Sequence, residues 1–201
     1  YLNNSFLPGL LQLMILLVTV FSIGSEMKRA TSREWLRTAD DSIIIAITGK
    51  LIPQTIIFFS MGLLYLSLLY GYLHFPMHNS IWHMIFAMFL LVVASQSFAV
   101  IIMCFAPSLR IGLSVGGLVG VLSLSIAGFS FPVPAMYLPF QAISYVLPVR
   151  HYFLIYVDQA LNGIPLYYSR VHYVALILFA VASTPLLPRL KKALMRQVYV
   201  P

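Results

Sequence analysis

Carboxylates, the side chains that most often join histidine in acid–base catalysis, are scarce in this sequence. Five carboxylates occur in 201 residues. Four of them fall close together and the fifth stands alone much later, at Glu26, Glu34, Asp40, Asp41 and Asp158. General acid–base catalysis needs such groups positioned at the reacting bond. An enzyme embedded in a membrane would be short of them here, so we expect no catalytic residue in this chain.

Two patterns approach a ligand-binding motif without completing it. Gly49-Lys50 lacks the upstream glycine and the downstream Ser or Thr of a phosphate-binding loop. The single cysteine, Cys104, provides neither a disulfide nor a thiolate metal site. Three histidines lie four and five residues apart, but a proline interrupts them and no carboxylate is near: His74, His78 and His83. We therefore expect this chain to bind no cofactor and no metal.

Long apolar segments must position whatever function the chain has. Hydrophobic residues make up 61% of the sequence and charged residues 8%, whereas a soluble domain carries about 25% charged residues. About 20 apolar residues cross a bilayer as a helix, and the runs here are too continuous for the strands of a membrane barrel. We predict an all-α, polytopic fold in a single transmembrane domain over 1–201, with spans at about 6–23, 43–73, 81–105, 111–131 and 171–187.

The basic residues predict the orientation of these spans. If the first span runs inward, ten Lys and Arg side chains lie in the cytosol, and only Arg150 and Arg170 lie outside. The C-terminus is then cytosolic and the N-terminus is outside, so we expect an earlier span, with or without an external domain, upstream of this sequence. The net charge of +7 reflects this topology rather than a nucleic-acid partner.

Two segments are not predicted to span. Residues 25–38 mix charges with Trp35 and Leu36, as in a short amphipathic helix on the inner membrane surface, serving either as a lipid anchor or as a docking element for a cytosolic protein. Residues 132–162 contain two apolar pieces broken by prolines. Pieces of this length beside a span are typical of re-entrant or interfacial helices, which we expect to cap the outer end of the bundle.

Small and polar residues within the spans have two readings each. Small residues recur every four positions in the fourth span, at Gly112, Gly116 and Gly120, with Gly128 further along. This spacing favours close helix packing within the subunit. The alternative is a face toward a second copy or a transport path. Gln54 and Gln96 are expected to hydrogen-bond between helices, with contact to cargo as the alternative. Lys50 and His83 lie near span ends, from which their polar groups can reach water.

Several short motifs follow one another in a recognisable order: 26–36 (EMKRATSREWL), 49–53 (GKLIP), 75–80 (FPMHNS), 127–132 (AGFSFP) and 142–148 (AISYVLP). The first resembles Glu-x-x-Arg-Gly-Thr-x-Glu-x-Leu, the second Gly-Lys-x-x-Pro, and the last two Ser-Gly-Phe-x-Phe-Pro and Leu-Ser-Tyr-x-x-Pro. Together they resemble the membrane subunit of type-2 ATP-binding-cassette (ABC) transporters, bacterial exporters in particular, over nearly the whole chain.

The resemblance implies a permease of the bacterial inner membrane that exports an amphiphilic or hydrophobic substrate, such as a drug, lipid or glycan. ATP and Mg²⁺ would be bound by a separate nucleotide-binding subunit. That subunit would contact a coupling helix through Glu26, Lys28, Arg29, Arg33, Glu34, Trp35 and Arg37. Further implied partners are a second permease copy or paralogue, membrane lipid and, as an option, a periplasmic adaptor protein. An external gate would contain Phe129, Phe131, Pro132, Tyr145 and Pro148.

Two departures from the family pattern stand out. Ala30 replaces the usual glycine, which would stiffen the coupling segment, and Pro134 replaces an acidic residue common after Phe-Pro. The alternative function is a non-transporting assembly or regulatory subunit that recruits a cytosolic partner through the same basic helix.

Overall fold

A computed structural model of the chain describes residues 2–128 and 133–196, and within these ranges it is helical without any strand. Five helical segments are long and apolar enough to cross a membrane. The all-α polytopic fold class is therefore confirmed. The helices are α1 (Leu2–Lys28), α2 (Ser32–Thr38), α3 (Ile43–Leu66), α4 (Ile81–Phe105), α5 (Leu109–Ile126), α6 (Leu138–Tyr145), α7 (Pro148–Tyr156), α8 (Leu166–Val181) and α9 (Leu187–Arg196).

Helix α4 forms the centre of the bundle, with α1, α3, α7, α8 and α9 packed around it. Apolar residues occur on all its sides, as expected of a largely buried helix; Ala87, Leu91 and Met103 are fully buried, and Trp82 and Phe86 are exposed on one face of its first turns. By contrast, α3 and α8 leave one apolar face exposed, including Ile56 and Leu178. In a chain of this composition these exposed faces match the hydrocarbon of a bilayer.

Three glycines of α5 lie against α1. A Cβ at Gly112 would come within 2.9 Å of a Val20 methyl carbon, and one at Gly120 would overlap the side chain of Leu13. A Cβ at Gly116 would lie 3.7 Å from the other methyl carbon of Val20. These three glycines therefore pack against α1 within the subunit, where small residues let two backbones approach closely.

The helix ends differ from the sequence prediction at several places, and α5, predicted over 111–131, runs from Leu109 to Ile126. Residues 25–38 do not form one helix, because α1 continues to Lys28 and the chain then turns through Ala30, whose φ of 57° is left-handed. The last span starts earlier than predicted and ends at Val181, since Pro185 and Pro188 cannot continue its hydrogen-bond pattern. Beyond Pro185 the chain forms a separate helix, α9.

The two ends of the bundle are built differently. We call the end that carries α2 and α9 the basic end, and the end that carries α6 and α7 the cap end. At the cap end α6 and α7 are eight and nine residues long, too short to cross a bilayer, and each has a proline in its first turn, where a missing N–H is tolerated. π-Helical turns extend α3 over Ser67–Tyr72 and α7 over Val157–Leu161.

The α1–α5 contact generates a paired prediction. Gly112→Val would drive new methyl groups into Met103 and Val20, whose nearest atoms already lie 2.8 and 2.9 Å from a built Cβ. We expect it to lower stability by about 1–3 kcal/mol, seen as a lower melting temperature of the detergent-purified protein. Gly117→Val is the matched control, because only a Leu17 methyl carbon lies near, at 3.9 Å. Equal melting temperatures for the two variants would contradict this packing.

Candidate functional site

The basic end presents a broad charged surface rather than an enclosed pocket. Exposed side chains of the segment after α1 and of α2 and α9 supply most of its charge: Lys28, Arg29, Arg33, Glu34, Arg37, Arg189, Lys192 and Arg196. Such a surface suits a macromolecular partner or anionic lipid headgroups better than a small substrate. The predicted partner contacts lie here, although they do not all point outward.

An ion pair joins α1 to α3 beneath this surface. The ammonium Nζ of Lys50 lies 2.6 Å from Oε1 of Glu26 and donates a second hydrogen bond, of 2.7 Å, to the carbonyl of Ser22. Thr31 donates its hydroxyl to the other carboxylate oxygen of Glu26. Both charged side chains are only about a fifth exposed, at 22% and 23%. Lys50 therefore bonds inward to the protein, instead of extending toward water as the sequence suggested.

The same lysine also holds α2. Its Nζ lies 4.4 Å from the centre of the Trp35 ring, a geometry in which a cation is attracted to the negative face of an aromatic ring. Trp35 is half-buried, and its neighbour Leu36 is completely buried. One ammonium group therefore links the end of α1, the start of α3 and the face of α2.

Helix α9 supports α2 from another side. Ser32 donates its hydroxyl to the carbonyl of Leu194 at 3.1 Å, and Arg33 donates to the carbonyl of Met195 at 3.3 Å. These carbonyls belong to the last turn of α9, where no intrahelical donor remains. Lys191 donates back, at 2.5 Å, to the carbonyl of Asp41 just after α2. Helix α2 is thus held on both sides.

Sequence analysis did not find α9. Its buried residues are Leu187, Leu190 and Leu194, and their spacing of three and four, with basic residues between them, is the pattern of an amphipathic helix. The apolar run that ends the last span masked this pattern, because the run continues to residue 187 without a charge. The prolines at 185 and 188 were the remaining signal for a break.

We call the cluster of Glu26, Lys50 and Trp35 the Lys50 node. The other predicted contact residues lie around it. Glu34 and Arg37 are exposed on α2, and Lys28 and Arg29 are exposed where α1 ends. Glu26 and Trp35, by contrast, face inward as described above. The structure thus brings the seven predicted contacts to one end of the bundle but divides them into an inner pair and an outer set.

At the cap end a buried arginine organises the junction between α6 and α7. Arg150 is 7% exposed, donates to the hydroxyl of Ser144 at 3.0 Å and stacks 4.4 Å from the centre of the Tyr145 ring. The ring nitrogen Nε2 of His151 lies 3.0 Å from the carbonyl of Tyr145. Burial lowers the pKa of His151, and nearby His172 and Arg150 act in the same direction, while the Tyr145 carbonyl opposes it.

The predicted gate residues fall only partly within this junction. Tyr145 ends α6 and Pro148 is the buried first residue of α7. Gly128, which was predicted with the small-residue stripe rather than with the gate, follows α5 with a φ of 103°, a conformation that favours glycine. Phe129, Phe131 and Pro132 lie outside the residues that the structure describes.

Neutral polar side chains join the helices between the two ends. Thr19 donates to Gln54 at 3.2 Å, and Thr55 donates to Gln96 at 2.8 Å. Gln12, which sequence analysis did not single out, is fully buried. Its amide donates to Ser123 on α5 at 2.9 Å, and its carbonyl oxygen accepts the Val149 N–H of α7 at 2.8 Å. Because these groups bond to one another, they bind helix to helix.

Residues 1–187 match a protein family described as ABC-2 family transporter protein. Searches of curated proteins and of solved structures gave no match.

The ion pair predicts non-additive effects of substitution. Lys50→Met keeps the length of the side chain but leaves Glu26 without its cation, so we expect a loss of about 1–3 kcal/mol. Glu26→Gln should cost a similar amount, and the double variant should lose less than the sum by roughly 1–2 kcal/mol. Melting temperatures of the four proteins in detergent measure this cycle, and Trp35 emission in a Trp82→Phe background reports on the loss of the ammonium from its ring.

Lys28→Met serves as the control, since Lys28 is an exposed lysine of the same region and should change stability by less than about 0.5 kcal/mol. Strictly additive losses for the pair, with unchanged Trp35 emission in Lys50→Met, would show that the two side chains do not interact in solution.

The turn before α2 gives a further prediction. Ala30 has a φ of 57°, where a Cβ is unfavourable by about 1–2 kcal/mol. Ala30→Gly should therefore raise the melting temperature, corresponding to a gain of up to about 1 kcal/mol. Ala39→Gly, at a position with a φ of −105°, should bring no gain. An unchanged or lower melting temperature for Ala30→Gly would contradict the left-handed turn.

Proposed function

The chain belongs to the ABC-2 transporter family, and from this premise we propose that it is the permease subunit of an exporter driven by a separate ATP-binding-cassette subunit. The observation that carries the proposal is the Lys50 node, which joins the exposed α2 to two candidate membrane spans. In this proposal the basic end faces the cytosol and the cap end faces outward.

Helix α2 is the coupling helix in this mechanism. Its exposed residues Arg33, Glu34 and Arg37 dock on the nucleotide-binding subunit, while Trp35 and Leu36 anchor it to the bundle. When the partner closes around ATP, α2 is displaced. Because the Lys50 ammonium bonds to Glu26 and stacks on Trp35 at the same time, α1 and α3 are displaced with it.

ATP and Mg²⁺ are bound by the partner in this proposal. The role of the present chain is to transmit the movement of the partner to the membrane helices. This role needs a rigid contact segment. The hydrogen bonds from Ser32 and Arg33 to the last carbonyls of α9 are a second support for α2. A displacement of α2 is therefore passed to the helices bonded to it and is not absorbed by a flexible loop.

We further propose that two permeases pair around a central path and move an amphiphilic or hydrophobic substrate outward, with 132–162 closing the outer end. The apolar, lipid-facing character of the exposed helix faces supports a substrate that partitions into the membrane. A periplasmic adaptor would extend the path beyond the cap end.

The test separates docking from coupling. The ATP-binding subunit that co-purifies with this chain is added to nanodiscs that contain the permease, and its affinity and ATPase rate are measured. Glu34→Lys with Arg37→Glu reverses two exposed charges on the outer face of α2, so affinity should fall tenfold or more, by roughly 1.5–3 kcal/mol. Lys50→Met should leave affinity within about threefold of wild type, yet abolish ATP-dependent export of a fluorescent phospholipid or dye from vesicles.

Arg110→Glu is the matched control, an exposed arginine on α5 for which we expect unchanged affinity. Wild-type affinity in the Glu34 and Arg37 double variant would reject α2 as the docking element. Normal docking without ATP-dependent movement of any amphiphile tested would favour the assembly or regulatory subunit instead.

A further inference from the structure

An apolar groove lies between the first turns of α4 and α8 at the cap end. Its volume is about 420 Å³, within the range of sites that hold small molecules. Aromatic and aliphatic side chains form most of its walls, and Arg170 stands among them; the lining residues are His83, Phe86, Leu166, Tyr167, Arg170, Tyr173 and Val174. Phe86 and Tyr173 are stacked, with ring centres 5.9 Å apart, and fix the inner wall.

The charge of the groove is positive. The Arg170 guanidinium is exposed, lies 3.9 Å from the centre of the Tyr167 ring and donates to the Tyr167 hydroxyl at 3.1 Å. Among the described residues it forms no ion pair with a carboxylate. The nearest acid along the chain at this end, Asp158, accepts a hydrogen bond from Ser169. The arginine thus offers an anion several free N–H donors.

The helix directions add to this positive charge. Both α4 and α8 begin beside the groove, at Ile81 and Leu166, and neither has a side-chain cap on its first turn. The start of a helix carries a partial positive charge. Leu166 at the start of α8 lines the groove together with Arg170, and α4 starts two residues before the lining residue His83. This arrangement favours a negatively charged group there.

The depth of the residues fits a lipid. Arg170 lies four residues into α8, about 6 Å along its axis, and its stacking on Tyr167 directs the guanidinium back toward the helix start. Tyr173 and Val174 lie one turn deeper. A phosphate held at the level of Arg170 would therefore place an attached acyl chain along the apolar wall, directed toward the middle of the bilayer.

We propose that this groove binds an anionic phospholipid of the leaflet at the cap end, with its phosphate on Arg170 and one acyl chain against Phe86, Tyr173 and Val174. The lipid is a resident of the site and stabilises the junction of α4 with α8. The proposal does not depend on the direction of transport, on the cargo or on an ATP-binding partner.

The chain offers a built-in probe for this site. It contains two tryptophans, Trp35 and Trp82. Trp82 is exposed and lies one helical turn before Phe86, on the same face of α4. In a Trp35→Phe background Trp82 is the single tryptophan, and bromine atoms on a lipid acyl chain quench its fluorescence when that chain lies beside it.

The full chain carrying Trp35→Phe is placed in vesicles of phosphatidylcholine with increasing mole fractions of brominated phosphatidylglycerol or brominated phosphatidylcholine. We expect half-maximal quenching at a roughly fivefold lower mole fraction of the brominated phosphatidylglycerol. Arg170→Gln should abolish this preference and leave quenching by phosphatidylcholine unchanged. Val174→Phe, which fills the groove, should weaken quenching by the anionic lipid.

Arg189→Gln is the matched control, since Arg189 is an exposed arginine at the opposite end, and the preference should persist in it. Each variant is accepted only if it elutes from a sizing column like the parent. Equal quenching by the two brominated lipids in the parent, or an undiminished preference in Arg170→Gln, would overturn the proposal, because the groove would then take any acyl chain. Absence of ATP-driven export by the wild-type protein, with this lipid preference intact, would count against the proposed function alone.

Discussion

The basic end of the structure depends on how one positive charge is held near the membrane. The Lys50 ammonium lies on α3, a helix with no other charged side chain, and it is about three-quarters buried. A charge in that position needs compensation, and it finds the Glu26 carboxylate, the Ser22 carbonyl and the Trp35 ring. Since a charge left without its partner is more unfavourable than the intact pair is favourable, these groups must stay together when the helices move.

This constraint explains how a helix of only seven residues, α2, is formed and held in position. An isolated helix as short as α2 would not be stable in water. Here its inner face is fixed by Trp35 and Leu36, and its N-terminal residues are bonded to the end of α9. Glu34 and Arg37 on the outer face take no part in this anchoring, so their charges remain available to a partner.

Helix α1 connects this node to the cap end. Glu26 lies near one end of α1, and Gln12, about four turns away or roughly 21 Å along the axis, bonds to both α5 and the first turn of α7. The glycines of α5 keep the two helices in close contact along the length between them. A displacement imposed at Glu26 therefore meets a continuous, packed helix rather than a hinge before it reaches the α6–α7 junction.

The sequence predicted those features that depend on composition and length, and it missed those that depend on a particular turn or a distant contact. The polytopic helical fold followed from apolar runs that only a helix can carry through a bilayer. The break between α1 and α2 within 25–38 could not be predicted in this way. Alanine normally avoids the left-handed conformation, so nothing in the local sequence indicates that Ala30 adopts it. The pairing of Lys50 with Glu26 depends on how α1 and α3 pack across 24 positions of sequence. That left-handed turn reverses the chain tightly enough for Thr31 to reach Glu26, and so it places Trp35 under the ammonium that holds the three helices together.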